Sequence, residues 1–311
     1  MDPKGLPEDF ETRIREILPP GADCAFEGRV LQTFRVNTLK GSVEEALAGL
    51  SERKIDFKRV DFCPYAFIVE KSVGGDLLKS DLASEGRIYA QGLESIVPVM
   101  VLDPKPGEKV LDLCAAPGSK TSQIAMHMQN KGYLKANEPI RDRLYRLKAV
   151  LQLTGAQAQI SSTDGRRLQE HGALYDRILV DAPCSCEGRF NAGDPKSFGY
   201  WSVRKIKEMS HKQKGLLLNA SRMLRPGGVL VYATCTFAPE ENEEVVDWFL
   251  RKSEDHFEPI PIKLEGVSSY PCLSQWQKRS YDARVSAALR ILPDERMEGF
   301  FIAKFINSHY K

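Results

Sequence analysis

The feature of this chain that most restricts its fold is an alternation. Across residues 109–306, short apolar runs recur between stretches with helical spacing. The runs are "KVLDLC" (109–114), "GYLKAN" (132–137), "AQISST" (158–163), "DRILVDA" (176–182), "GVLVYATC" (228–235) and "FFIAKFI" (300–306). Helical patterns follow "PGSKT", occupy "IRDRLYRLKAVLQLTG", span roughly 203–224 and begin at Pro239. Strands that alternate with helices predict a parallel sheet covered on both faces. Right-handed crossovers make such a sheet doubly wound. The predicted class is α/β: a doubly wound, mostly parallel, Rossmann-like sheet.

The N-terminal part has a different rhythm. "TFRVNTLK" is strand-like, and "SVEEALAGLSERK" opens with Ser42 and Glu45 at capping-box spacing. Ala46, Leu47 and Leu50 share one face of that helix. "IDFKRVDFCPYAFIVEK" predicts one or two further strands. This is a small α+β unit, assigned to residues 1–85, with residues 86–311 as the larger domain. The segment 255–298 has no clear period, contains Pro259, Pro261, Pro271 and Pro293, and is expected to be loops or an insertion before the last strand.

Net charge is only +2, so any nucleic-acid footprint must come from local clustering. No apolar run reaches about 18 residues, so no membrane span is expected. The start lacks an apolar signal core, and the expected location is the cytoplasm. The seven cysteines, Cys24, Cys63, Cys114, Cys184, Cys186, Cys235 and Cys272, are scattered and odd in number, which argues against a disulfide framework. Cys184 and Cys186 are the only close pair; two further ligands at zinc-like spacing are not visible, so no metal site is expected.

The turn after the first sheet strand, "LDLCAAPGSKT" (111–121), brings backbone close to a ligand, and Gly118 removes a blocking side chain. It is not the dinucleotide fingerprint, so hydride chemistry is disfavoured. Glu138 follows about 20 residues later at the end of the second strand, where an acid can accept from ribose hydroxyls. Asp164 and Asp181 end the third and fourth strands. Turn formation or helix capping would account for any one acid alone. Three in register beside a glycine-containing turn predict a nucleoside pocket, and S-adenosylmethionine fits it. Its adenosine would take the carboxylates and its amino-acid end the first loop and Lys120.

Cys184 lies just beyond the fourth strand and Cys235 ends the fifth. Parallel pairing would set those strand ends about 4.8 Å apart, with both thiols on one crevice. Burial as packing is the ordinary fate of a cysteine, and on the residues alone it is the reading for Cys114 as well as for Cys24, Cys63 and Cys272. A disulfide between Cys184 and Cys235 stays an alternative. The helix after Cys235 would lower a thiol pKa, but Glu240, Glu241, Glu243 and Glu244 partly cancel that field. A thiol beside a methyl donor has a specific use. Thiolate addition to carbon-6 of cytosine makes carbon-5 nucleophilic, which is covalent catalysis.

These motifs resemble the RNA cytosine-5 methyltransferases of the Sun/Fmu type. The resemblance runs through "FRVNTLK", "YAQGLESIVPVMVLDPKPGEKVLDLCAAPGSKT", "DAPCSCEG", "LRPGGVLVYATCTFAPEENEEVV" and "EGFFIAKF". It implies that Cys235 is the nucleophile and that Cys184 assists product release. It also implies cofactor contacts along Cys114, Ala115, Ala116, Pro117, Gly118, Ser119 and Lys120, then at Glu138, Arg143, Asp164 and Asp181. Asp181 would in addition contact the flipped base and stabilise a protonated N3. Cys186 stands where the family usually has glycine and receives no role; Ser119 is a second departure. A DNA cytosine-5 methyltransferase, which uses the "PC" cysteine, is the nearest rival. A catalytically idle RNA-binding protein and a methyltransferase acting on an amino group also compete.

The expected partner is tRNA or rRNA, bound by a monomer. The target base must be unpaired or flipped. Three basic clusters are candidates for phosphate contacts: Arg141, Arg143, Arg146 and Lys148; Arg204, Lys205, Lys207, Lys212 and Lys214; and Lys278, Arg279, Arg284 and Arg290 near Trp276 and Tyr281.

Overall fold

The computed structural model describes residues 5–20, 22, 26, 31–169, 174–254 and 256–308; Cys24 lies outside them. The described chain runs α1 (Glu8–Ile17), β1 (Leu31–Val36), α2 (Val43–Glu52), β2 (Lys58–Val60), β3 (Cys63–Glu70), α3 (Lys71–Leu78), α4 (Asp81–Ser84), β4 (Ile88–Ala90) and α5 (Leu93–Leu102). It continues through β5 (Lys109–Asp112), α6 (Ser119–His127), β6 (Tyr133–Asn137), α7 (Arg141–Thr154), β7 (Gln159–Ser161), β8 (Tyr175–Asp181), α8 (Val203–Arg222), β9 (Leu224–Thr234) and α9 (Glu243–Lys252). The last part holds β10 (Phe257–Pro259), β11 (Ser269–Tyr270), β12 (Gln275–Trp276), β13 (Arg279–Ser280), β14 (Leu289–Ile291) and β15 (Phe300–Asn307).

The large sheet has the order β11-β14-β15-β9-β8-β5-β6-β7, with β10 also on β15. Strands β5 to β9 pair in parallel, while β15 lies antiparallel on β9 from Phe301 opposite Thr234 to Ile306 opposite Val229. The expected α/β class holds. Its central strands read as continuous apolar runs because both faces are buried. Leu111, Ile178 and Leu230 bury toward the α8 and α9 side, and Val110, Leu179 and Val231 toward the α5 and α6 side.

The segment 255–298 differs from the loop expectation. It contributes β10, β11 and β14, which extend the antiparallel edge of the sheet, and the separate β12–β13 hairpin. These strands are two or three residues long, too short to show a period-2 pattern.

The small N-terminal sheet has the order β2-β3-β1-β4. Ser42 and Glu45 form the predicted capping box at the head of α2. Its edge strand Ile88–Ala90 pairs with β1, so this unit extends past residue 85. Helix α1 leaves it altogether. Phe10 packs on Phe190 at 4.9 Å and on Trp201 at 5.5 Å between ring centroids, and Arg13 ion-pairs with Glu240 at 2.7 Å. Helix α1 therefore belongs to the surface of the larger domain.

Candidate active site

The first loop is shaped by its own backbone. Gly118 has φ 114°, a conformation that L side chains rarely adopt, and a Cβ there would meet Val150 at 3.0 Å and Leu147 at 3.2 Å. The glycine thus serves the turn and its packing on α7. Ala115 is occupied likewise, its N–H donating to the Asn137 carbonyl at 2.9 Å. Neither residue lines the cavities described next.

Two cavities adjoin at the carboxyl ends of the parallel strands. One, of about 210 Å³, is lined by Leu113, Glu138, Pro139, Ile140, Asp164, Gly165, Lys212 and Leu216. The other, of about 190 Å³, is lined by Ala116, Pro117, Ser119, Lys120, Asp181, Cys184, Cys186, Arg189, Cys235, Glu298 and Phe300, among others. Cys114, Arg143 and Pro183 border both.

In the first cavity Glu138 is buried. It accepts from the Ile140 N–H at 2.9 Å and pairs with Arg143 at 3.3 Å. Arg143 also donates to the Ala116 carbonyl at 2.7 Å, which ties the second strand's acid to the first loop. Asp164 is clasped by the side chain and backbone of Arg166, and those hydrogen bonds hold its carboxyl down to about 2. A carboxylate offers about four acceptor sites, so Glu138 keeps capacity for sugar hydroxyls, whereas the four contacts from Arg166 occupy Asp164. Ile140, 50% exposed, gives an apolar platform beside the two acids. This set of acceptors and the cavity's shape fit a nucleoside, with its ring face on Ile140 and its diol toward the acids. Sequence reasoning does not single out Ile140, Lys212 or Leu216 as pocket residues. A signal is present for two of them: Lys212 and Leu216 stand four apart on α8 and share a face.

In the second cavity Lys120 donates to Ser95 Oγ at 2.9 Å and pairs with Asp181 at 2.8 Å. Its ammonium also stands 5.4 Å from the Phe300 ring centroid. Lys120 is therefore engaged with the fourth strand's acid.

The thiols meet as the strand register requires. Asp181 pairs with Ala233 across β8 and β9, and beyond that pair the Cys184 and Cys235 sulfurs come to 3.3 Å. Cys186 Sγ lies 3.8 Å from Cys184 Sγ, and all three sulfurs fall within 4.8 Å of one another. Hydrogen bonding inside the trio lowers Cys186 to about 4. Cys235 stands at about 12: its hydrogen bond to Cys184 lowers it, but the interaction with Cys186 and burial outweigh that. Cys184 is raised well above its ordinary value by its hydrogen bonds to Cys186 and Cys235, then by burial. The physical content is collective. The first thiolate is shared and stabilised by its neighbours, and further ionisations meet like charge in a buried site.

Two buried acids hold the thiol loops together. Glu241 accepts from the Ser185 N–H at 3.1 Å and from Gln213 at 2.7 Å; burial raises it to about 8. Glu187 accepts from Thr236 Oγ1 at 2.9 Å, the Phe237 N–H at 3.1 Å and Trp201 at 2.8 Å. The other three glutamates in the run after Cys235 are engaged elsewhere. Glu240 pairs with Arg13, Glu243 with Arg290 and Glu244 with Lys214.

The basic clusters divide. Arg290 is 1% exposed and bidentate on Glu243 at 2.5 and 2.6 Å, so it is no part of a surface patch. Trp276 is buried, with its indole N–H on Glu240 at 3.0 Å, and does not offer a face for stacking. Lys212 turns to the Glu138 cavity. Lys207, Lys214, Lys278 and Arg279 do converge, on a groove of about 520 Å³ that also includes His211. Among the described residues, no helix is long and apolar enough to cross a membrane.

A family model described as 16S rRNA methyltransferase RsmB/F matches residues 99–306. A tRNA (cytosine(49)-C(5))-methyltransferase of Pyrococcus abyssi is 40% identical over 88% of this chain and 86% of its own. The ribosomal RNA small subunit methyltransferase F of Cronobacter sakazakii is 34% identical over 96% of this chain, which spans 62% of that relative's length. Among solved structures, a methyltransferase homolog protein from Pyrococcus horikoshii superposes with a TM-score of 0.84 at 31% identity, covering 97% of this chain and 96% of that one. With its sheet, its paired cavities and these likenesses, the chain belongs to the RsmB/F methyltransferase family.

Proposed function

We propose that the protein transfers a methyl group from S-adenosylmethionine to carbon-5 of a cytosine in tRNA or rRNA, with Cys235 as the nucleophile. The observation that carries this reading is the pair of sulfurs 3.3 Å apart in one cavity with Asp181, sharing walls with the cavity of Glu138 and Asp164. The cofactor would lie against Glu138, Ile140 and Asp164, with its amino-acid end along Ala116, Pro117 and Ser119. When bound it would supply an electrophilic methyl to carbon-5, its sulfonium becoming a neutral thioether as the sulfur–methyl bond breaks.

The remaining chemistry belongs to the chain's own residues. Cys235 adds as thiolate to carbon-6, and the electron pair of the 5,6 double bond moves to make carbon-5 enamine-like. As the electrons shift, N3 takes up a proton from solvent; Asp181 accepts hydrogen bonds from that N3–H and from the amino group, and the proton is given back when the ring is restored. After loss of the carbon-5 proton to a base, the double bond re-forms and the carbon-6–sulfur bond breaks. Cys184, within hydrogen-bond reach, returns a proton to the departing sulfur and keeps it from re-adding. Phosphates would track the groove of Lys207, Lys214, Lys278 and Arg279.

The thiol roles are separable. Cys235→Ala abolishes both product and the covalent RNA adduct, whereas Cys184→Ala accumulates the adduct, seen as a protein–RNA band that survives denaturation. The reverse pattern would exchange the two roles.

A further inference from the structure

Cys186 has no part in that reaction, yet it is held in an unusual way. Its backbone sits at φ 60° and ψ 28°, the left-handed region that favours glycine. A residue kept in that region on a cavity wall points to a use for its side chain. The side chain completes a triangle of sulfurs. Two separations are 3.3 and 3.8 Å, and all three sulfurs lie within 4.8 Å. Zinc–thiolate bonds of about 2.3 Å at the tetrahedral angle place sulfurs about 3.8 Å apart. Spacing along the chain reveals only Cys184 and Cys186 as close ligands; the fold supplies the third from Cys235.

The surroundings suit such an ion. The three thiols line a cavity, so a fourth coordination position opens toward solvent or ligand. Arg189 lies on the same wall, where it ion-pairs with Glu298 at 3.2 Å. Three thiolates on a divalent cation leave one negative charge, on a wall where this guanidinium is shared with Glu298.

We propose that Cys184, Cys186 and Cys235 form a three-thiolate site for a soft divalent cation of the zinc and cadmium class, whose binding reversibly shuts the active site. Loading displaces the thiol protons and forms metal–sulfur bonds, with no change of oxidation state. Both sulfurs assigned to methyl transfer then become ligands. The inhibitory consequence rests on the function proposed above; the binding site does not.

The test is a cadmium titration of the full chain without RNA or cofactor, under a phosphine reductant, following the thiolate-to-cadmium charge-transfer band. The expected result is one equivalent bound, with affinity lowered about 100-fold or more in Cys186→Gly, beyond the loss of an outer-sphere partner. Cys186→Ser, which keeps the volume, should behave alike. Cys272→Ala, whose thiol bonds the Ala288 carbonyl, should bind as the parent does. In a methyl-transfer assay the ratio of rates with and without cadmium should rise toward one in the glycine variant. No tight equivalent in the parent, or affinity within about threefold in both Cys186 variants, would overturn the site. Tight binding with no methyl transfer in metal-free parent protein would instead overturn the function.

Discussion

Replacing Arg290 by methionine separates a surface role from a buried one. Its guanidinium is 1% exposed. It holds Glu243 through two bonds of 2.5 and 2.6 Å and donates to the Phe237 carbonyl at 3.1 and 3.2 Å. Glu243 is itself fully buried and accepts from the Leu273 N–H at 3.0 Å. Methionine fills much of the volume but strands a carboxylate among apolar neighbours. Removing one partner of a buried pair costs about 3–5 kcal/mol, and the undonated carbonyl adds about 1–3 kcal/mol. With a urea slope of about 3 kcal/mol/M, the unfolding midpoint should fall by more than about 1 M. The double variant with Glu243→Gln should recover a good part of this, because the stranded charge is gone. RNA binding by the folded variant, measured against salt, should keep the parent's slope. A midpoint that barely moves, together with a salt slope reduced by about one phosphate contact, would place Arg290 on the RNA and refute its structural role.

The groove cations should do the opposite: Lys207→Gln with Lys278→Gln is expected to leave unfolding stability within about 0.5 kcal/mol and reduce the salt slope of RNA binding by about two. Burial raises Asp112 to about 7 against a hydrogen bond from Thr121, with nearby Asp181 adding to the rise. A raised carboxyl stabilises the fold below its unfolded value near 3.8 and loses that contribution as pH climbs to about 7, at most about 4 kcal/mol. Asp112→Asn should therefore gain stability over the parent at pH 8 and lose the advantage toward pH 4; a gap constant with pH in urea melts would contradict this. Gly118→Ala should cost about 2 kcal/mol from its φ of 114° and its 3.0 Å contact with Val150, and weaken cofactor binding by calorimetry because the first loop must shift.

What could be recognised in the sequence follows a physical line. Strands β5 to β9 and β15 each fall on one of the six runs read from the sequence. The central ones stand out because burial on both faces leaves them no polar alternation. Helix α5, "LESIVPVMVL", does not stand out, for a related reason. Leu93, Ile96, Val97, Val99, Val101 and Leu102 are all buried, so the helix has no polar face to give a 3.6-residue period. Helix α1 has the period, but its destination on Phe190 and Trp201 depends on contacts that only the folded chain defines.

The site divides along the same line. Groups near strand ends have positions that register dictates: Glu138 and Asp164 line one cavity, and Asp181, Cys184 and Cys235 the adjoining one. Groups whose partners lie far along the chain have no such guide. Arg290 shares a cluster of positive residues with Lys278 and Arg279, yet its carboxylate is 47 positions away. Cys186 is two residues from Cys184, but its meaning depends on Cys235, 51 residues beyond Cys184. The loops carrying these sulfurs are coupled by Glu187, which takes hydrogen bonds from Thr236 and Phe237 beside Cys235, and by Glu241, which takes them from Ser185 beside Cys184. Each acid lies on one thiol's loop and satisfies donors on the other's. Sulfur spacing is thus tied to reciprocal contacts between the loops, which the Gly188 N–H on the Cys235 carbonyl at 3.0 Å and the Ser185–Thr236 hydroxyl pair at 2.7 Å reinforce. A substitution at either glutamate should alter the distance between thiols before it alters the sheet that carries them.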